Sequence, residues 1–213
     1  MTPTFDVKTL RRTVLVVALL NLAYFFVEAV VALAIGSVSL VADSVDFLED
    51  TAVNLLIFIA LGWSLRRRAI AGKVMAGIIV LPALAAIAMA VKKFMDPVAP
   101  DALSLVLTSG GSVVVNTICA YLLMGIRKHG GSMTTAAWLA ARNDVIINLA
   151  IIAMGIITWT MVPNGWPDLL LGILIVVLNV TAAKEVWEVA EEERLADKAL
   201  AGEDVDPCSC EGA

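Results

Sequence analysis

The sequence predicts an all-α fold: a polytopic membrane protein built as a bundle of six transmembrane helices. Three observations carry this. Hydrophobic residues make up 60% of the chain and charged residues 16%, with a mean hydropathy of +0.91, whereas soluble domains average about 45–50% apolar and about 25% charged. The apolar residues gather into six stretches, each near the roughly 20 residues that cross a bilayer core. Basic residues gather on one side of the resulting alternation. The short alternating segments of a membrane β-barrel are absent.

The first residues, Met1–Thr9, lack the charged-then-apolar-then-small pattern of a cleaved signal, and the run behind them is too long for one. Thr13–Ile35 therefore reads as a retained first span. Gly36-Ser37 makes a tight hairpin into the second, Val38–Gly62. The third span, Ile70–Val91, ends in a loop marked by Pro97 and Pro100, and the fourth is Leu103–Ile126. The fifth, Ala136–Thr160, is joined through Pro163, Asn164, Gly165 and Pro167 to the sixth, Asp168–Val189. Residues 1–190 form one six-helix transport domain by this reading. Residues 191–213 form a short polar tail without fixed structure, although Glu185–Ala201 has the charge pattern of a helical extension.

Lys8, Arg11 and Arg12 precede the first span, and Arg66, Arg67, Arg68 and Lys73 follow the second. Arg127 and Lys128 follow the fourth, and Lys184, Arg194 and Lys198 lie at or beyond the end of the sixth. Only Lys92 and Lys93 fall on the other side. This bias predicts both termini in the cytoplasm of a cell (inner) membrane. Trp63, Trp138, Trp159, Trp166 and Trp187 all lie near span boundaries, where interfacial anchors belong.

Several functions are disfavoured. No long basic block points to nucleic acid. The single histidine, His129, lies in a basic loop, so no histidine-based catalytic dyad exists inside the membrane, and the chain is not expected to be an enzyme. Of the three cysteines, Cys208 and Cys210 form a weak C-x-C signal for soft metals in the acidic tail, where a dispensable segment is the commoner meaning.

The chemistry concentrates in the second span. Asp43, Asp46 and Asp50 are three and four residues apart, so they share one helical stripe, which Asn54 continues. One carboxylate at the centre of a membrane helix costs about 2.5–3.5 kcal/mol on insertion scales. Such residues commonly face a bundle interior or an aqueous path and mark ion pathways. Counted inward from the span ends, Asp46 and Asp50 lie near mid-membrane, and Asp144 of the fifth span lies at a similar depth. Asn148 shares the Asp144 face, whereas Asn143 points about 100° away. Asp46, Asp50 and Asp144 together can surround a divalent cation. The bland alternative for Asp144 is an ion pair with Arg142. Repulsion between Asp46 and Asp50 is relieved by a cation or by protons, so such a site can exchange one for the other. In the first span Asn21, Tyr24 and Glu28 form another stripe. Glu28 and Asp43 both lie in the outer half, placed either to share a proton or simply to pack. Asn116 reads as helix-packing glue.

The segment Asn21–Asn54, above all Gly36-Ser-Val-Ser-Leu-Val-Ala-Asp43 followed by Asp46 and Asp50, resembles the first two spans of cation diffusion facilitators. That resemblance implies six spans, cytoplasmic termini, a homodimer, and divalent-metal efflux in exchange for H+. It also implies a metal site built from a (His/Asp)-x-x-x-Asp pair in the second span and another in the fifth. Asp46-Phe-Leu-Glu-Asp50 matches the first pair. The fifth-span pair falls on Ala140 and Asp144, so one ligand is missing, and water, Asn143 or Asn148 is left to complete the shell, with Asp43 and Glu28 as further candidates. The cytoplasmic C-terminal domain and the histidine-rich loop usual in the family are not found, as in its shortened members. An all-oxygen site favours Mn2+ or Fe2+ by ligand preference. The family leans to Zn2+, with Cd2+ as a mimic and Co2+ also open. The rival readings are a cation channel, a structural membrane protein and an intramembrane enzyme.

Overall fold

A segment inside a bilayer must satisfy its own backbone hydrogen bonds, so each apolar stretch becomes a helix. The computed structural model describes residues 7–60, 64–126, 132–161 and 163–200. It contains helices α1 (Val7–Ile35), α2 (Val38–Ala60), α3 (Leu65–Met95), α4 (Ala102–Ile126), α5 (Ser132–Thr160) and α6 (Trp166–Leu200), with no strand among the described residues. α3 outruns its expected span at both ends because its flanking Arg and Lys residues continue the helix. Residues 191–200, placed in the polar tail on sequence, continue α6, as the helical extension read for Glu185–Ala201 expects. Cys208, Cys210, His129 and Trp63 lie outside the described residues. By length and composition α1, α4 and the Ala137–Thr160 part of α5 are apolar enough to cross a membrane. α2 is of similar length, but its four charged residues, Asp43, Asp46, Glu49 and Asp50, are crowded into about two turns.

The α1–α2 hairpin closes through Gly36, whose φ of +65° is the left-handed conformation that glycine adopts readily. The Ser37 amide donates to the Ala32 carbonyl at 3.0 Å, closing the end of α1 as a Schellman turn. Ser37 then begins α2, its Oγ accepting the Leu40 amide at 3.2 Å as an N-cap.

Four helices form a ring: α1 packs on α2 and α4, α4 packs on α5, and α5 closes back on α2. The remaining two, α3 and α6, pair with each other and lie against α2. The buried positions of α4 alternate by four and three: Leu105, Ser109, Ser112, Asn116, Cys119, Leu123 and Ile126. This narrow seam has an apolar residue at each end and polar side chains in the middle, where it faces the ring interior. Large apolar side chains such as Val30, Phe26, Leu107 and Ile146 are exposed outside, as suits helices bathed in lipid.

Two sets of contacts hold the α3–α6 pair in place. At the hairpin end, Asp168 is fully buried and accepts from Ser37 Oγ (2.7 Å), Ser39 Oγ (2.6 Å), the amides of Val38 (2.8 Å) and Ser39 (3.1 Å), and Lys93 Nζ (2.5 Å). One carboxylate of α6 thus caps the first turn of α2 and neutralises a lysine of α3. At the opposite end, beyond the apolar spans, Lys73 Nζ lies 2.6 Å from Glu191, which Arg194 also contacts. These hydrogen bonds, first from Arg194 and then from Lys73, push the Glu191 carboxyl down to about 2.

Candidate metal-transport site

α2 is the one helix that touches α1, α5 and the α3–α6 pair, so its acidic stripe is enclosed on several sides. Asp43, Asp50 and Asn54 are buried, and Asp46 is partly buried with an enclosed Oδ2 that has no hydrogen-bond partner. On α5, Asp144 and Asn148 are buried one turn apart. Hydrogen bonds fix the register of the helices. Asn148 Nδ2 donates to Asp43 Oδ1 at 3.1 Å, which places the next inward turn of α5, with Asp144, beside Asp46. Asn21 Nδ2 of α1 donates to Asp50 Oδ2 at 3.1 Å. Asp46 and Asp144 lie within electrostatic range of each other and of Asp43 and Asp50. The described ion pairs include none of these four carboxylates.

Ligand convergence is looser than the sequence pattern implies. Among the described residues, no group of three or more His, Cys, Asp or Glu side chains stands at metal-coordinating distance. Asp46, Asp50 and Asp144 share one buried interior rather than a closed shell, and closing the shell around a cation requires side-chain rotation or a small helix shift.

The other expected ligands divide clearly. Asn143 is exposed and accepts from Arg142 at 3.4 Å, so it faces away from the ring and is not a ligand. Arg142 is exposed too, with its guanidinium 5.4 Å from the Trp138 ring centre, which removes the Arg142–Asp144 ion pair as an explanation for the buried acid. Asn148 spends its amino group on Asp43 and on the Asp144 carbonyl (3.0 Å), while its Oδ1 stays buried and unpartnered. Ala140, at the place of the missing ligand, is half-buried one turn before Asp144.

Glu28 and Asp43 meet, as their common depth foretells. Ser112 Oγ donates to Glu28 Oε1 at 2.8 Å, the two carboxyl groups lie within electrostatic range of each other, and Glu28 Oε2 and Asp43 Oδ2 are buried without a hydrogen-bond partner. The sequence reading missed Ser112 as a partner. It also missed Cys119, whose Sγ donates to Asn21 Oδ1 at 3.5 Å, and the link from Asn21 to Asp50. The alternating four-three spacing of Ser109, Ser112, Asn116 and Cys119 was the available signal.

The family model for the cation efflux transmembrane domain matches residues 14–193 of the 213. The chain belongs to the cation efflux family. No curated protein matches it. The matched region of this cation efflux protein runs from early α1 to the last turns of α6, so it takes in the whole helix ring, the α3–α6 pair and every carboxylate described above.

Proposed function

We propose that this cation efflux protein exports divalent transition-metal ions from the cytoplasm in exchange for protons, with Asp46, Asp50 and Asp144 holding the metal. One observation carries the reading: buried carboxylates from α2 and α5 face a common interior, and none of those three joins a described ion pair. Burying such charges without a partner is costly. A divalent cation or protons supply the missing positive charge in alternation, and that alternation is the chemistry of an antiporter. Zn2+ is the preferred cargo, with Cd2+ as its mimic; the oxygen-rich donor set keeps Mn2+, Fe2+ and Co2+ in range.

Glu28 and Asp43, buried one turn outward from Asp46, are the groups assigned to carry the exchanged protons. In this reading they stand between the metal and the outer mouth. Alternating access then follows from movement of the ring helices about a fixed midplane site. The expected assembly is a homodimer with cytoplasmic termini.

The test is metal uptake into proteoliposomes with internal pH followed in parallel. Asp50→Asn should abolish uptake of Zn2+, Cd2+, Mn2+, Fe2+ and Co2+ alike, and wild-type flux should saturate and move protons the other way. Undiminished flux in Asp50→Asn would sink the site. Flux that does not saturate, with no proton movement, would indicate a channel.

A further inference from the structure

Among the described hydrogen bonds, Asp50 is the one proposed ligand whose carboxylate is tied to a neighbouring helix by a side chain, and the donor is neutral. Asn21 Nδ2 reaches Asp50 Oδ2 at 3.1 Å, and Asn21 itself is fully buried. Behind it, Cys119 Sγ points at Asn21 Oδ1 at 3.5 Å, and Cys119 is also fully buried. The chain of contacts therefore runs from α4 through α1 to α2.

Chemistry fixes the direction of this chain. An ionised Asp50 can only accept, so the amino group of Asn21 must face it and the amide oxygen must face the thiol, which has a proton to give. The amide cannot flip without placing its oxygen against the carboxylate. Holding Oδ2 in this way leaves Oδ1 of Asp50 without a described hydrogen bond. A neutral donor also avoids cancelling the negative charge that attracts a cation, which a lysine or arginine in the same place would do.

We propose that Asn21 is the positioning residue of Asp50, and that Cys119 positions Asn21. Together they set the affinity for the divalent cation without touching it. This inference rests on Asp50 being a ligand.

Initial rates of Zn2+ and Mn2+ uptake by the full chain in proteoliposomes, measured across metal concentration, separate KM from turnover. A hydrogen bond to a charged group has an effect of about tenfold or more on the equilibrium it controls. Asn21→Ala should therefore raise KM about tenfold for both ions while changing turnover much less. Cys119→Ala leaves the α1–α2 contact in place and should raise KM by a few-fold; Cys119→Ser keeps a donor and should restore it. Thermal unfolding of each variant, followed by tryptophan fluorescence, identifies any that fail to fold. If Asn21→Ala does not fold, the Cys119 pair still decides. Unchanged KM in both alanine variants, or a fall in turnover alone, overturns the inference. A loss in Cys119→Ser confined to Zn2+ overturns it too, because the thiol would then be acting as a ligand. Asp50→Asn measured alongside keeps the two readings apart: its full activity would remove the metal site itself, whereas its inactivity beside a normal Asn21→Ala would remove only the positioning role.

Discussion

Asn148 divides one amide between two tasks: its nitrogen ties Asp43 to the backbone at Asp144, and its oxygen stays uncommitted inside the ring. The missing fifth-span ligand can be supplied by design. Ala140→His places an imidazole one turn before Asp144 on the same face, and nitrogen donors favour zinc over manganese. Zn2+ should then outcompete Mn2+ in mixed-metal uptake by about tenfold more than in the parent protein, a change of about 1.4 kcal/mol. An unchanged ratio would mean that residue 140 does not face the cargo. The acids themselves were legible in the sequence because their three- and four-residue spacing lies within single helices. Their partners were not. Asn21 is 29 positions from Asp50, and Cys119 is 98 positions from Asn21. Nothing in a linear pattern says which face of one helix meets which face of another. Asn143 and Asn148 mark the boundary: helical periodicity alone sets Asn143 about 100° from Asp144, whereas the Asn148–Asp43 contact emerges only from packing.

Whole helices meet most tightly where glycine allows it. A Cβ on Gly172 of α6 would lie 2.6 Å from Val38 Cγ1 and 2.8 Å from the Ser39 nitrogen of α2. Gly172→Ala must push the helices apart, at a cost of about 1–3 kcal/mol, and the thermal midpoint in detergent should fall. Beside that contact, Asp168→Asn leaves Lys93 buried without its counter-charge and should destabilise by about 3–5 kcal/mol. Asp168→Asn combined with Lys93→Met removes both charges and should recover much of the loss in the same unfolding assay. The far end of the α3–α6 pair behaves differently with pH. Glu191 is held down to about 2 from its ordinary 4.5, so its contribution is complete above pH 4.5 and disappears as pH falls toward 2. Trp187 lies under Lys73, with the ammonium 5.1 Å from the ring centre. In a variant with Trp187 as the sole tryptophan, its emission should stay constant from pH 8 to pH 5 and change only in stronger acid. The helices were largely readable from hydropathy and turn residues. The charged second half of α6 carries no bilayer signal, and only the charge pattern of Glu185–Ala201 marked it as a helical extension.

At the scale of the molecule, a four-helix ring and a helix pair share α2, and both bear on its acidic stripe. The arrangement requires the loops around Ser64 and Asp101 to lie on opposite sides of the bilayer. Ser64→Cys and Asp101→Cys, made with Cys208→Ser and Cys210→Ser, should each react with an impermeant maleimide from one face only, and from opposite faces. Labelling of both from the same face would break the six-span topology. The composition made the membrane class plain, whereas the grouping of helices into ring and pair depends on long-range contacts that hydropathy does not encode. The Asp168 contact also imposes an order in time. The first turn of α2 is made well before its capping carboxylate, which follows 131 positions later in α6. Until α6 inserts, Ser37, Val38, Ser39 and Lys93 must wait with water or lipid headgroups as substitutes. The nascent bundle is therefore fastened at that end only once α6 has been made, and a chain stopped before residue 168 would be an open substrate for membrane quality control.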